Sequence, residues 1–369
     1  MKQRGRRKLL FVIPVLCLWA MMLCVVLEGW ARLRYTRGKN RAAHFNTETL
    51  GRQTSEVFHP DLWVTEWLEY RPSTSVKYTT LTTNYEVHIN NIGFRGPDVI
   101  RAHDPDAYTI VCLGGSTTIN GRTDDTTYPA FLQAFLNVDS PTRIRVINGG
   151  ICGLVSSDYP HVLRNVLNGV HPDMVIAYGG INDIWRRMYP HWNEQRGFVA
   201  TQFLRSRFIK DIFGGWFLPG PHTLRADIDD FIVDNLRAAA ATLKERGIRF
   251  AVCTFIHPKH EEMSDRQYAN FDYNMRHWYQ GEYISYEDYC HFVDVYNTAL
   301  QEAFADTDVM LIPLAETGHY PAEWFVDALH MNTEGIRNKA SRIAELLTPA
   351  LHGILNDEAL PNHAAPSVN

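Results

Sequence analysis

The sequence is poor in cysteine and lacks closely paired cysteines. Its six cysteines are spread from Cys17 to Cys290 and include no Cys-x-x-Cys pair. A small disulfide-dense fold and a cysteine-based zinc site both need closely spaced cysteines, so the sequence excludes both. We expect free thiols, most of them buried. The chain also lacks an Asn-x-Ser/Thr sequon and an internal repeat.

Most of the chain is short of positive charge, whereas its first residues have an excess. Residues 1–41 contain ten Lys/Arg and one acid, while the remaining residues contain 26 Lys/Arg and 40 Asp/Glu. An acidic body argues against nucleic acid as the main partner. The basic N-terminus therefore serves another purpose.

Charged residues are absent from residues 9–27, which read LLFVIPVLCLWAMMLCVVL. At about 1.5 Å per residue, a helix of this length spans about 28 Å, close to the hydrocarbon thickness of a bilayer. The run is apolar on all sides, unlike a core helix, and no small-x-small cleavage motif follows it. We predict an uncleaved signal anchor over residues 9–28 after a basic N-terminus over residues 1–8. Five basic residues precede the run and five follow it, so the positive-inside rule leaves the orientation open.

From residue 108 onward, short apolar segments alternate with helical patterns. The predicted strands are 108–113, 144–148, 174–178, 249–256 and 309–314, and helices are predicted near 128–137, 157–168, 228–246, 290–305 and 333–347. Short apolar strands between helices are typical of a parallel sheet covered on both faces. We predict an α/β fold with a doubly wound, five-stranded parallel sheet, preceded by a small β lead-in over residues 61–104.

Two connections in this domain are too long for ordinary loops, namely residues 184–226 and 257–289. Both are rich in aromatic residues, and both follow the carboxyl ends of predicted strands. Either they form walls or a lid over a substrate, or they pack on each other or on the β lead-in.

Four blocks with chemically useful side chains follow predicted strands. Ser116 follows two glycines after the first strand, and a glycine-rich block ending at Gly153 follows the second. Asn182 comes after the third strand, and the block from Asp327 to His330 comes after the fifth. Because the carboxyl ends of parallel strands meet at one edge of a sheet, these blocks can face one crevice.

The residue types in these blocks suit acyl transfer. A serine nucleophile needs a base, which His330 can supply, and Asp327 three residues earlier can orient the imidazole. The oxyanion of a tetrahedral intermediate needs preorganised donors. The backbone N–H groups of Ser116 and Gly153 and the side-chain amide of Asn182 are the candidates.

Two rival interpretations are weaker. Histidines 257, 260, 277 and 291 suggest a metal site, but they do not form a His-Glu-x-x-His pattern and no carboxylate set completes them. The glycine-rich turn at residues 114–121 suggests a phosphate cradle, but no Gly-Lys-Ser/Thr follows it. We therefore expect neither a metal nor a cofactor.

Together, the four blocks resemble the SGNH hydrolase superfamily, also called GDSL-type esterases and lipases. The resemblance covers about residues 105–350, and its serine block reads Gly-Gly-Ser-Thr-Thr over residues 114–118. Gly115 replaces the usual aspartate and Thr117 the usual leucine, as in membrane-anchored bacterial members. The resemblance implies a flavodoxin-like sheet of strand order 2-1-3-4-5. It also implies catalytic roles for Ser116, Asp327 and His330 and an oxyanion hole formed by Ser116, Gly153 and Asn182.

The predicted protein is a single-pass, membrane-anchored serine esterase whose hydrolase domain lies outside the cytoplasm. By analogy, its substrates are carboxylic esters such as O-acetyl groups on cell-envelope carbohydrate. The alternatives are an O-acyltransferase that uses the same acyl-enzyme and a catalytically silent carbohydrate-binding or assembly module. The predicted organisation adds a stalk over residues 29–60, the hydrolase domain over residues 105–350 and a C-terminal tail over residues 351–369.

Overall fold

The computed structural model describes residues 2–49, 60–79, 84–99, 106–138, 140, 142–278 and 284–358. Within them the strands are β1 (Trp63–Thr65), β2 (Glu69–Tyr70), β3 (Thr74–Thr79), β4 (Asn84–Ile89), β5 (Ala107–Gly114), β6 (Arg143–Gly150), β7 (Met174–Tyr178), β8 (Arg249–Cys253) and β9 (Met310–Ile312). The α-helices are α1 (Lys2–Thr49), α2 (Ser116–Ile119), α3 (Tyr128–Leu136), α4 (Tyr159–Gly169), α5 (Ile181–Asp183), α6 (Tyr189–Gln195), α7 (Phe198–Phe203), α8 (Arg207–Phe213), α9 (Pro221–Ile228), α10 (Asp234–Lys244), α11 (Asp265–Trp278), α12 (Tyr286–Phe304), α13 (Leu314–Thr317) and α14 (Thr333–Glu358). Two π-helical segments, Ile184–Met188 and Asp229–Val233, lead directly into α6 and α10.

A five-stranded parallel sheet forms the centre of the domain. Its order is β6-β5-β7-β8-β9, which confirms the predicted order 2-1-3-4-5. Ile110 of β5 lies between Val146 of β6 and Met174 of β7. Every residue of β5 is buried, because strands on both sides and helices on both faces cover it. Each fully buried Ile or Val in such a strand stabilises the fold by about 1.5–3 kcal/mol.

The helices that cover this sheet pack in pairs whose members are far apart in the sequence. α3 packs against β6 and against α14, and α10 packs against β8 and against α4. Gly247 follows α10 with φ +71°, a left-handed conformation that glycine tolerates at the end of a helix. α14 continues to Glu358, into the predicted tail, and residues 359–369 lie outside the described residues.

The β lead-in consists of two small antiparallel pairs, β1–β2 and β3–β4. Arg95 connects it to the main sheet through bridges to Ile89 and to Asn148 of β6. Its buried guanidinium donates to the carbonyls of Ile119 and Gly121 at 2.9 and 3.0 Å. The lead-in is therefore fastened to the chain that follows α2.

α1 is a single helix that includes both the predicted anchor and much of the predicted stalk. Its segment Val12–Arg37 is long and apolar enough to cross a membrane, and the window of mean hydropathy 2.3 within it has no buried residue. Glu28 then contacts the domain by accepting from the Ser206 hydroxyl at 2.8 Å and from the Arg207 and Phe208 amides at 3.1 Å. Residues 50–59 of the predicted stalk lie outside the described residues.

The two long connections are largely helical. Residues 184–226 include α6, α7 and α8, and residues 257–289 include α11. α8 and α11 both contact α1, and α11 also contacts α12. Trp185 of the first connection stacks on Tyr289 of the second, with ring centres 5.9 Å apart, which agrees in part with packing of the connections on each other. The contact with α1 was not predicted.

All six cysteines are free. Cys112, Cys152 and Cys253 are buried in the core, whereas Cys17 and Cys24 are exposed on α1. Burial raises the pKa of the Cys112 and Cys152 thiols to about 12. The expectation of free thiols is confirmed, and the buried ones stay protonated at neutral pH.

Candidate active site

Ser116 begins α2 directly after β5 has ended at the carboxyl edge of the sheet. The turn needs both glycines, because a Cβ on Gly114 would collide with the Tyr178 carbonyl and one on Gly115 with the Asn182 amide. The half-buried Ser116 side chain is thereby held beside the loops that follow the neighbouring strands.

Asp327 and His330 form a compact turn held by backbone hydrogen bonds. The Asp327 carboxylate accepts from the amides of Leu329 and His330 at 2.8 and 2.7 Å. Its other oxygen lies 2.8 Å from His330 Nδ1. The second ring nitrogen, Nε2, lies 2.7 Å from Ser116 Oγ. Ser116 and His330 are 214 positions apart in the sequence, and the fold brings both of them together with Asp327.

The electrostatics of this turn favour an ionised aspartate. Burial alone would raise the pKa of Asp327, but the charge of His330 and the hydrogen bonds from His330 and Leu329 lower it below its ordinary value. An ionised Asp327 accepts a hydrogen bond from His330 Nδ1–H. His330 Nε2 then carries no hydrogen and can accept a hydrogen bond from the Ser116 hydroxyl.

Of the predicted oxyanion donors, the Asn182 amide lies beside Gly115 and is bonded to Leu154, the residue after Gly153. Among the residues that the structure describes, the N–H groups of Ser116 and Gly153 have no acceptor. Gly153 has φ +73°, and a Cβ there would strike the ring of Trp67. Asn182 Nδ2 donates to the Leu154 carbonyl at 3.0 Å, which fixes the amide and leaves its second hydrogen for another acceptor.

Asp183, the residue after Asn182, is buried and bonded to Ser156. It accepts from the Ser156 amide at 3.0 Å and from its hydroxyl at 2.7 Å. Burial raises the pKa of Asp183 to about 7, although these hydrogen bonds oppose the shift. Asp183 therefore ties the Asn182 loop to the start of the chain segment that leads into α4.

Trp67 and Arg186 flank the glycine-rich block that ends at Gly153, and the sequence patterns predicted neither of them as a site residue. Trp67 lies in a turn with φ +67°, which is rare for a residue other than glycine, although the pattern of residues 63–68 suggests a strand. The Arg186 guanidinium lies 5.3 Å from the Trp67 ring and donates to the Gly153 carbonyl. Both contacts join segments far apart in the chain, so no local signal marks them.

A buried lysine also lies behind the turn that carries Ser116. Lys339 Nζ donates to the Thr117 carbonyl at 3.0 Å and lies 4.5 and 4.4 Å from the ring centres of Tyr128 and Tyr178. Burial lowers the pKa of Lys339 to about 7. In the sequence this residue looks like any polar position of an amphipathic helix.

The chain belongs to the GDSL-like lipase/acylhydrolase family, whose model matches residues 112–337. This range contains all five predicted site residues, and membership identifies the protein as a carboxylic ester hydrolase.

The chain is also similar, at low sequence identity, to several solved structures. An acetylxylan esterase from Geobacillus stearothermophilus is 16% identical, with 67% of this chain and 96% of that chain covered and a TM-score of 0.41. A psychrotrophic esterase from Pseudoalteromonas sp. is 13% identical, with 66% and 99% covered and a TM-score of 0.39. A comparison with curated protein sequences gives no match.

Proposed function

We propose that this protein is a membrane-anchored serine esterase that hydrolyses carboxylic esters through Ser116, His330 and Asp327. The observation that carries the proposal is the hydrogen-bonded line from Ser116 Oγ through His330 to Asp327, with separations of 2.7 and 2.8 Å. These distances suit proton transfer from the hydroxyl to the imidazole while the carboxylate stabilises the imidazolium.

In the proposed reaction, Ser116 Oγ attacks the acyl carbon while its proton moves to His330 Nε2. The carbonyl oxygen of the ester becomes an oxyanion. This oxyanion accepts hydrogen bonds from the N–H groups of Ser116 and Gly153 and from the Asn182 amide. The C–O bond then breaks, and the imidazolium gives its proton to the leaving alcohol. A water molecule, deprotonated by His330, attacks the acyl-enzyme and releases the carboxylic acid and Ser116.

The proposed substrate is a short acyl group, such as acetyl, on a cell-envelope carbohydrate. The support is the half-buried Trp67 ring beside Gly153, because a flat aromatic face is complementary to the C–H face of a sugar. The exposed Arg186, which lies over this ring, adds donors that sugar hydroxyls can accept.

We further propose that α1 crosses a membrane and holds the hydrolase domain outside the cytoplasm, beside the cell envelope. The charge-free run and the exposed apolar side chains of Val12–Arg37 support a span. Five basic residues lie on each side of the run, so the proposed orientation rests on the proposed cell-envelope substrate and not on the positive-inside rule.

The test is hydrolysis of p-nitrophenyl acetate and of longer p-nitrophenyl esters by the full-length protein in detergent. Ser116→Ala is expected to lower kcat on the order of 10⁴-fold or more, because no other group replaces the nucleophile. Ser341→Ala on α14 is the matched control, since Ser341 bonds only to the exposed Glu345 side chain among the described residues. The control should keep the wild-type rate.

Full activity of Ser116→Ala would refute the proposed nucleophile. A folded wild-type protein that hydrolyses no ester, but moves acetyl groups onto added sugars, would be a transferase instead. Absence of both reactions would favour a binding module. A preference for acetyl over longer chains would support the short-acyl substrate.

A further inference from the structure

A cavity of about 780 Å³ lies between α1 and two helices of the domain, α8 and α11. This volume is in the range of small-molecule binding sites. None of its lining residues belongs to the proposed active site. The α1 wall is made by Trp30, Ala31, Arg34 and Tyr35, a few residues beyond the charge-free run.

The cavity wall contains buried polar atoms that the described protein leaves unsatisfied. Asn270, 4% exposed, has no hydrogen-bond partner for either its Nδ2 or its Oδ1. Arg207 Nε is also buried and unpartnered, although another nitrogen of this guanidinium pairs with Asp211 at 2.7 Å. A buried amide with neither end bonded is costly and rare in folded proteins, so such atoms point to a polar ligand.

The charges around the cavity favour a monoanion. Four arginines and three aspartates line it, which leaves one positive charge in excess. Arg34 is exposed and lies over the Trp30 ring at 5.5 Å, whereas Arg276 pairs with Asp272 at 2.8 Å. A phosphate diester carries the complementary charge and accepts hydrogen bonds from guanidinium groups.

The position of the cavity along α1 places it at the level of lipid headgroups. At about 1.5 Å per residue, Trp30 to Tyr35 lie about 5–12 Å beyond the end of the charge-free run at Leu27. The polar layer of a bilayer extends about 5–8 Å from the hydrocarbon core, so Trp30 and Ala31 lie within it and Arg34 and Tyr35 lie just outside it. Val26, preceding this wall, is 65% exposed, and Ile212 at the cavity is 52% exposed, so apolar surface for acyl chains adjoins the cavity.

We infer that this cavity binds the headgroup of an anionic glycerophospholipid, with the phosphate near Arg34 and Arg207 and a headgroup hydroxyl on Asn270. A hydroxyl both donates and accepts, so it satisfies both ends of the Asn270 amide. An ammonium headgroup donates hydrogen bonds but accepts none. A quaternary choline headgroup neither donates nor accepts hydrogen bonds. The expected order of affinity is therefore phosphatidylglycerol, then phosphatidylethanolamine, then phosphatidylcholine.

This inference rests on the membrane span of the proposed function, but not on ester hydrolysis. Flotation of the full-length protein with liposomes tests the span separately, and the ester assay tests the chemistry separately. Loss of lipid binding in a variant that still floats and still hydrolyses esters therefore reports on the cavity alone.

The experiment is native mass spectrometry of the full-length protein in detergent, titrated with the three lipids at equal chain length. Asn270→Leu is expected to weaken phosphatidylglycerol binding about tenfold, since one buried hydrogen-bonding group is removed. Asn274→Leu is the matched control, because its amide is also buried and unpartnered on α11 but does not line the cavity. Arg34→Gln changes an exposed side chain and should lower the preference for the anionic lipid without affecting folding.

Wild-type binding by both Asn270→Leu and Arg34→Gln would overturn the inference, as would equal binding of all three lipids. Competition by free glycerol 3-phosphate at the same concentration would show that the site takes a soluble phosphate ester rather than a lipid. Equal losses in Asn270→Leu and Asn274→Leu would show a general effect on α11 and would also overturn it.

Discussion

At the scale of single residues, two buried carboxylates near the site behave in opposite ways. Asp327 interacts with His330 and accepts hydrogen bonds from His330 and Leu329, so its pKa is lowered in spite of burial. Asp183 has only the neutral donors of Ser156, so burial raises its pKa to about 7. The first can serve as a permanent anion beside His330, whereas the second changes its charge near neutral pH.

We predict that Asp183 makes folding stability fall as pH rises from about 4 to about 7. Its folded pKa lies above the unfolded value of about 3.9, so the folded state holds the extra proton in this window and loses the advantage as pH rises through 7. Asp183→Asn should remove this dependence. The difference in unfolding free energy between variant and wild type should change on the order of a few kcal/mol across the window.

The measurement is the melting temperature of both proteins between pH 4 and pH 8. The exposed Asp306→Asn serves as the control and should follow the wild-type curve, because the Asp306 side chain has no partner among the described residues. If the melting temperatures of Asp183→Asn and wild type changed with pH in the same way, the raised pKa of Asp183 would be contradicted.

At the scale of elements, the β lead-in supports the nucleophile loop through Arg95. Its Nε lies 2.7 Å from Asp124, and its Nη1 binds two carbonyls of the chain after α2. One planar side chain thus holds three acceptors in place, which a point charge such as lysine cannot reproduce.

We predict that Arg95→Leu destabilises the protein by about 3–5 kcal/mol, because the two backbone carbonyls and Asp124 Oδ1 lose their guanidinium donor. Arg95→Lys should recover only part of this loss. The check is the melting temperature, with kcat measured beside it. Lys77→Ala is the control, since the exposed Lys77–Glu86 pair at 4.0 Å contributes little. A melting temperature of Arg95→Leu equal to that of the control would refute the role of Arg95.

The sequence was sufficient to predict the sheet and the blocks that follow its strands. Buried strands such as β5 and β7 are short, apolar and bounded by glycine or polar residues, so their pattern is local. The turn at Trp67 and the role of Arg95 depend on contacts with residues tens of positions away. Lys339, 222 positions from its partner Thr117, gave no signal for the same reason.

At the scale of the whole molecule, one acidic side chain connects α1 to the domain. Glu28, directly after the charge-free run, caps the first turn of α8 about 180 residues later in the chain. The sequence predicted the apolar run from its composition, but a contact over this separation leaves no local pattern. Because Glu28 is bonded to α8, the domain has a defined position relative to the proposed bilayer.

We predict that a reporter fused after Asn369 lies outside the cytoplasm. An alkaline phosphatase fusion, which becomes active only in an oxidising compartment, should be active, and a fusion to a fluorescent protein that matures only in the cytoplasm should stay dark. This expectation follows from a single crossing by α1 that places the domain beside its proposed cell-envelope substrate. The reverse pattern of the two reporters would show the opposite orientation.

The distribution of thiols has a practical consequence for work on this protein. The three core cysteines are shielded and protonated, and burial likewise raises the pKa of the half-buried Cys290 to about 12. Cys17 and Cys24 are exposed and lie seven residues, or about two helical turns, apart on α1. Both thiols lie within the run proposed to cross the bilayer, so a maleimide dye in water should label neither them nor the buried core thiols in the membrane-embedded protein. The domain also needs no oxidative folding machinery, so it can be produced in a reducing cell.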